Sequence, residues 1–329
     1  MISSELDHRR AARIQPGQGN LGDVNASTEG DATGDFSSGH TGRALRAACE
    51  AAGLNATGAS LIRTGENALY ALADEPIVVR IARTMDYMAQ ARKEVLVSDW
   101  LQGVGFPAVR VADVDNQPLS VNGHPVTFWQ FIPGGSAPKD RVDILAQLLR
   151  RLHSLQLPSD RVIPQFRFGD RVKSRLEKSD APVEDVTFLL ERFESLAAQV
   201  RDLDFPLDPC IVHGDAHMGN VMLSDTENPI LIDLENVGIG QPEWDLTVAA
   251  VECATAKLMS VEKYGEYVEA YGFDVTRWSG FDVLRQIQEI KMTTWLMQNI
   301  RHSREILDEF SARVYALRNG HSGRVWRPF

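Results

Sequence analysis

The sequence predicts an α+β protein of two lobes, a small antiparallel sheet crossed by a helix and then a larger, mostly helical lobe. Three observations predict it. Between about residue 60 and residue 132, short apolar or β-branched stretches are separated by turn residues, the pattern of short antiparallel strands. Beyond Pro133-Gly134-Gly135 the apolar residues recur at helical spacing over long stretches. Inside that helical part, IVHGDAHMGNVM at residues 211–222 and PILIDLENVGIGQPEWD at residues 229–245 form an island of short strand and loop.

In chain order, residues 1–40 are rich in Gly, Ser, Asp and Asn and nearly without aromatic or branched anchors. Such a segment cannot offset its ordering entropy by burial, so a disordered tail is expected. TGRALRAACEAAGL then reads as a short helix, with Thr41 as N-cap and Gly53 as its stop. ASLIRTG, NALYALAD, PIVVRIAR and HPVTFWQFI read as strands, and MDYMAQARKEVLVSDWLQGVG as an amphipathic helix with Met88, Ala91 and Val95 on one face. These make an N-lobe over residues 41–132. The PGG turn is the junction to a C-lobe over residues 133–329, in which RVDILAQLLRRLHSLQ, VTFLLERFESLAAQV, DLTVAAVECATAKLMSVEKYGEYVEAYG and VLRQIQEIKMTTWLMQNI favour helices.

Composition bounds the function. The 329 residues suffice for two domains or one domain divided into lobes, and 43% hydrophobic content is that of a folded chain. No run of about 18 apolar residues occurs, and MISSELDHRRAAR lacks the apolar centre of a secretory signal, so a cytoplasmic protein without membrane association is expected. Formal charge is −11, which argues against a nucleic-acid surface and permits cationic partners. Cys49, Cys210 and Cys253 have no paired spacing and read as buried small hydrophobes. RNGHSGRVWRPF at the C-terminus reads as a docked tail or a partner contact; oligomeric state does not follow from it.

The island carries the chemistry. A strand over Pro229–Ile232 delivers Asp233 to its end, and a hairpin-like return brings it beside Asn220. Hard Mg²⁺ takes an oxygen shell with one or two carboxylates and phosphate oxygens, which fits Asn220 and Asp233. A hydroxyl attacking a terminal phosphate needs a nearby proton acceptor, which fits Asp215. His213 reads as a loop-organising hydrogen-bond partner, and His217 as a residue that shapes the loop or lines the cleft. A zinc site of His213, Asp215 and His217 is the alternative, although it leaves the second acidic motif unexplained.

HGDAHMGN at 213–220 followed by IDLEN at 232–236 resembles the aminoglycoside phosphotransferase and choline kinase-like family, whose core is similar to that of protein kinases. The resemblance runs from about residue 60 to residue 250. It implies a bilobal protein-kinase-like fold, ATP and Mg²⁺ as cofactors, Asp215 as catalytic base, and Asn220 and Asp233 as metal ligands. It further implies that Arg80 in IVVRIAR meets the nucleotide phosphates and that Glu94 orients it. Lysine is commoner than Arg80 at that position, and the planar guanidinium is not equivalent to an ammonium. By the same resemblance, RTGENALYAL covers phosphate through Gly65, Glu66 and Asn67, although alone it reads equally as a hairpin. FWQFIPGG resembles the inter-lobe hinge, where the backbone of Gln130, Phe131 and Ile132 would read the adenine edge. Asp245 is expected to stabilise the catalytic-loop backbone, with His153 bracing the loop.

The implied acceptor pocket lies between the catalytic loop and the C-terminal helices. Nine acids face four Lys and Arg between residues 241 and 290, a surplus that favours an amine-bearing alcohol. Glu252, Glu289, Trp295 and Gln298 are the candidate contacts, with core packing the competing reading of Trp295. The expected activity is ATP- and Mg-dependent phosphotransfer to the hydroxyl of a small molecule such as an aminoglycoside, amino sugar or amino alcohol. A catalytically inactive nucleotide-binding or regulatory module and a nucleotidyltransferase are the alternatives.

Overall fold

The computed structural model describes residues 36–65, 67–158, 163–301, 303–320 and 325–328. The tail expected over residues 1–40 therefore lies outside the described residues up to residue 35. The described part begins with an anchored chain. Phe36 is buried, packs against His124 with ring centroids 5.6 Å apart, and lies under the Arg83 guanidinium at 4.9 Å. Helix α1 (Ser38–Ala51) follows at once. The N-cap is Ser37, so the N-cap expected at Thr41 is four residues late: Thr41 sits inside the first turns, its hydroxyl 2.7 Å from the Tyr70 hydroxyl. Burial of Phe36 supplies what the polar composition of the preceding stretch lacks.

Strands β1 (Ser60–Thr64), β2 (Asn67–Ala71), β3 (Ile77–Ala82), β4 (Leu119–Val121) and β5 (His124–Gln130) form one antiparallel sheet in the order β1-β2-β3-β5-β4. Helix α2 (Met88–Gly103) connects β3 to the second half. The sheet is covered on both faces, which is why β5 reads HPVTFWQ with every residue but Gln130 buried. On one face Val79, Ile81, Val126 and Phe128 pack with Ala44, Leu45, Ala48 and Cys49 of α1. Strand alternation then forces Arg80 and its cross-strand partner Thr127 onto the other face, toward α2.

The C-lobe does not open on a simple turn. Gly134–Ser136 is strand β6, paired antiparallel with β8 (Val221–Ser224), which pairs with β9 (Pro229–Leu231). Gly134 has φ +136°, and a Cβ there would lie 2.0 Å from the Leu223 carbonyl oxygen, so only glycine permits the pairing. β7 (Cys210–Val212) pairs with β10 (Gly238–Gly240). Helices α3 (Val142–His153), α4 (Asp170–Glu177), α5 (Val183–Val200), α6 (Glu243–Ala254), α7 (Val261–Tyr271), α8 (Phe281–Leu296) and α9 (Arg304–Asn319) surround these strands. One core joins Leu145, Leu149 and Leu152 of α3 to Ile211, Leu231, Leu246 and Tyr267; another joins α4, α5, α8 and α9 through Leu189, Phe193, Ile290 and Phe310. α4 and α9 have no counterpart among the helices expected from the sequence.

The C-terminal segment docks. Trp326 is buried, its N–H donates to the Ala256 carbonyl at 3.0 Å, and the Arg313 guanidinium covers its ring at 4.3 Å. All three cysteines are buried and free; burial, with Glu75 nearby, pushes the Cys49 thiol up to about 11 and raises the other two as well. Among the described residues no helix is long and apolar enough to cross a membrane.

Candidate active site

β7 carries the chain into the HGDAHMGN loop, and Asp245, in the first turn of α6, grips that loop. Its two carboxylate oxygens accept the N–H groups of His213 at 2.6 Å and Gly214 at 2.7 Å. His153, the last residue of α3, donates Nε2–H to the same carboxylate at 3.0 Å and accepts from the Tyr271 hydroxyl on Nδ1 at 2.8 Å. Full burial would push the Asp245 carboxyl up, but His153 and His213 hold it below its ordinary value. His213 is wholly buried, with Nε2 2.9 Å from the Ile232 carbonyl oxygen, which ties the first half of the island to the second. Gly214 has φ +80° and no room for a side chain, since a Cβ would lie 2.5 Å from the Phe166 ring.

Asp215 therefore projects from a loop fixed at both of the preceding residues. Lys291 of α8 reaches it: Nζ donates to Oδ1 of Asp215 at 2.9 Å and to the Gly214 carbonyl at 2.7 Å. Burial alone would raise the Asp215 carboxyl, but Lys291 and His217 hold it well below the usual carboxylate range. His217 accepts the Gly219 N–H on Nδ1 at 3.1 Å, and burial lowers its ring below the ordinary value. The side chain is a loop former whose Nε2 stands 3.9 Å from Asp215 Oδ2.

The β8–β9 hairpin returns the chain as the sequence pattern implied. Val221 pairs with Leu231, and the Ile232 N–H donates to the Asn220 carbonyl at 2.9 Å, setting Asp233 beside Asn220. The Asn220 side-chain amide donates to the Asp215 carbonyl at 2.9 Å, which leaves its Oδ1 as an acceptor. Asp233 has a left-handed backbone, φ 63° and ψ 64°, and immediately precedes the 3₁₀ turn Leu234–Asn236 without a side-chain hydrogen bond to it. Burial, Glu235, Glu94 and Asp215 push its carboxyl up to about 7, against the pull of Arg80. An all-oxygen donor pair amid surplus negative charge fits a hard divalent cation. The zinc alternative fits poorly: His213 gives its Nε2 to Ile232, and among the described residues no three His, Cys, Asp or Glu side chains converge as metal ligands.

From the N-lobe, Arg80 Nη2 pairs with Glu94 Oε2 at 2.6 Å, with Glu94 almost wholly buried and the guanidinium 5.2 Å from the Trp129 ring centre. Burial raises the Glu94 carboxyl, and Arg80 opposes that shift. The pair lines a small cleft with Asn67, Gln90 and Thr127. Gly65, at the β1–β2 turn, donates its N–H to Asn67 and accepts from Arg83 at 2.9 Å; Glu66 lies outside the described residues. At the expected hinge, two of the three amides are already used. The Gln130 N–H goes to the Arg110 carbonyl and the Phe131 N–H to Pro76, and only the Ile132 N–H lacks a partner among the described residues.

The acceptor candidates divide. Glu252 is half-buried on α6, and burial together with the charge of Asp215 pushes its carboxyl up to about 7. Trp295 is 40% exposed and lies one turn beyond Lys291 on α8, with the exposed Gln298 three residues further. Glu289 is different. It is 1% exposed, with Oε1 taken by Arg285 and by the Thr255 hydroxyl at 2.6 Å, which places it inside the α6–α8 packing rather than on a cleft wall.

Sequence reasoning missed two residues. Lys291 sits between buried neighbours Ile290, Thr293 and Thr294, and a cation among such neighbours was the one local signal, with nothing to say what it meets. Glu235 lies inside the IDLEN motif, where it takes the Gln90 amide at 2.7 Å and the Arg171 guanidinium at 2.6 Å, while Lys93 donates to its carbonyl at 2.9 Å. It thereby ties α2 to α4 through the loop that bears Asp233.

Known proteins show the same architecture. The model of the phosphotransferase enzyme family, APH, matches residues 61–281. Choline kinase LicA from Streptococcus pneumoniae is 15% identical, with a TM-score of 0.61 over 85% of this chain and 99% of its own. Aminoglycoside phosphotransferase APH(3'')-Id from Streptomyces rimosus is 21% identical, with a TM-score of 0.55 over 75% of this chain and 96% of its own. Amicoumacin kinase hAmiN, in complex with AMP-PNP, Ca²⁺ and Ami, is 15% identical, with a TM-score of 0.62 over 79% and 87%. The fold is bilobal and protein-kinase-like.

Proposed function

The chain belongs to the phosphotransferase enzyme family and is a small-molecule kinase, and from that premise we propose that it moves the terminal phosphoryl group of ATP to the hydroxyl of a small, amine-bearing molecule. The observation that carries this reading is the convergence of Asp215, Asn220 and Asp233 at one hairpin, with Arg80 and Glu94 near enough for their charges to act on Asp233. Asn220 and Asp233 would hold Mg²⁺, which when bound supplies positive charge to the phosphate oxygens. Arg80, braced by Glu94 and Trp129, meets the phosphates from the other lobe, and the Ile132 N–H is the hinge amide left for the adenine edge.

Asp215 favours its carboxylate form, since Lys291 and His217 outweigh its burial. Its carboxylate accepts the hydrogen bond of the acceptor hydroxyl and so aims that oxygen at phosphorus. As the new O–P bond forms and the bond between the β–γ bridging oxygen and phosphorus breaks, the hydroxyl proton passes to Asp215 and ADP leaves. The acid surplus of the C-lobe and the electrostatic influence of Asp215 on Glu252 support an amine on the acceptor, as does the choline or aminoglycoside acted on by the similar kinases. The buried Arg80–Glu94 pair supports catalysis over an inactive module, because it holds the guanidinium in one orientation.

The test is mass spectrometry of reactions with ATP, Mg²⁺ and a panel of aminoglycosides, amino sugars and amino alcohols, each beside the Asp215→Asn protein. A phosphate adduct that the variant forms only at a small residual rate supports the reading. A nucleotidyl adduct, or equal phosphate transfer by the variant, overturns it.

A further inference from the structure

The catalytic reading uses Asp215, yet the group that touches its carboxylate comes from another element altogether. Lys291 is an ammonium with only 18% of its side chain exposed, carried by α8 between residues packed into the core. A cation is costly to bury unless its donors are used, and a methionine would fill this place on packing grounds alone. Two of its three N–H groups go to the catalytic loop, at 2.7 Å to Gly214 O and 2.9 Å to Asp215 Oδ1.

The Gly214 residue is thereby held at both ends. Its N–H is bonded to Asp245 at 2.7 Å and its carbonyl to Lys291 at 2.7 Å. The two oxygens of Asp215 become unequal: Oδ1 accepts from Lys291, while His217 Nε2 stands 3.9 Å from Oδ2, beyond hydrogen-bond reach. We propose that Lys291 is a positioning residue for phosphoryl transfer, which locks the Asp215 carboxylate so that Oδ2 alone is presented to the acceptor hydroxyl. The inference rests on Asp215 being the group that receives that hydroxyl.

In this role Lys291 acts through Asp215, not on the nucleotide. Lys291→Met should lower kcat roughly 10- to 100-fold, the loss of a charge-assisted hydrogen bond, while KM for ATP stays within about twofold. The decisive measurement is a double-mutant cycle in single-turnover kinetics with Lys291→Met, Asp215→Asn and both together. With Asp215 already replaced, the second substitution should change the rate by no more than about twofold. Lys291→Gln, which keeps an N–H donor without the charge, serves as the same arm of the cycle if the methionine variant melts early.

Independent losses that multiply in the double variant would overturn the inference, since Lys291 would then act on phosphate or on the fold. So would a Lys291→Met enzyme as fast as the parent beside an Asp215→Asn enzyme reduced to a small residual rate; that pair of results leaves the assignment of Asp215 intact. An Asp215→Asn enzyme as fast as the parent overturns the assignment of Asp215 itself and this inference with it.

Discussion

The Nε2 atom of His153 lies 3.0 Å from Oδ2 of Asp245, the oxygen that also accepts the His213 N–H. A residue at the end of α3 and one at the start of α6 thus share the task of holding the catalytic loop. Replacing His153 by Phe removes a donor from a wholly buried carboxylate, at a cost of about 1–3 kcal/mol in urea-unfolding free energy. The pH dependence has a definite sign. The folded-state pKa of Asp245 is below its ordinary value, so its contribution is present above about pH 4 and is lost as pH falls through the folded value. The acid-unfolding midpoint of His153→Phe should therefore move to higher pH.

Arg80 and Glu94 offer a contrast between removal and exchange. Arg80→Met leaves Glu94 buried without its cation and should destabilise the fold by about 3–5 kcal/mol, while raising KM for ATP at least about tenfold. Substituting both, Arg80→Met with Glu94→Leu, should recover most of the stability and none of the ATP affinity. Thermal melts and ATP titration of the three proteins separate the two effects.

At Asp233 the left-handed backbone dictates the choice of variant. Asparagine tolerates φ 63°, whereas alanine adds strain of about 1 kcal/mol to the loss of the carboxylate. The Asp233→Asn protein should fold with a melting temperature near or above that of the parent, because one charge leaves an acidic cluster. Millimolar Mg²⁺ with ATP should raise the parent's melting temperature and leave that of the variant unchanged.

Glu252 links acceptor charge to pH. Its folded value of about 7 lies above the ordinary glutamate range, so the folded state favours the protonated form. Stability from this group is complete below about pH 4.5 and declines as pH rises through 7. Glu252→Gln should thus be more stable than the parent at pH 8, by about 1–2 kcal/mol. With a cationic acceptor, the parent's KM should fall between pH 6 and pH 8 as the carboxylate ionises, and that of the glutamine variant should not; pH-resolved kinetics check both.

Trp295 gives a simpler test. Trp295→Ala should raise KM for the acceptor by about tenfold with KM for ATP unchanged, as expected of a ring that meets one substrate only.

What the sequence disclosed depends on how local the information is. The β8–β9 hairpin, which brings Ile232 onto the Asn220 carbonyl, was legible, because one short segment carries both strands. Arg80 and Glu94 were legible only through their motif order, since the strand alternation that faces them together needs a sheet already assembled. Lys291 was not legible: 76 residues separate it from Asp215, and nothing in EIKMTTWL marks which turn of α8 meets the loop. Glu289 misled for the same reason, its acidity pointing to a pocket while Arg285, one turn back, had already claimed it. At the hinge, the loss of the Gln130 and Phe131 amides to Arg110 and Pro76 depends on contacts no side-chain pattern records.

The burial of Cys49, Cys210 and Cys253, with their thiols pushed up by desolvation, makes the native chain nearly silent toward maleimides at neutral pH. A cysteine introduced at exposed Met85 on the N-lobe and another at exposed Val261 on the C-lobe would be the two reactive sites. The protein thus comes ready for attaching a donor and acceptor dye, and the distance between its lobes can be followed through a turnover without first stripping thiols from its core.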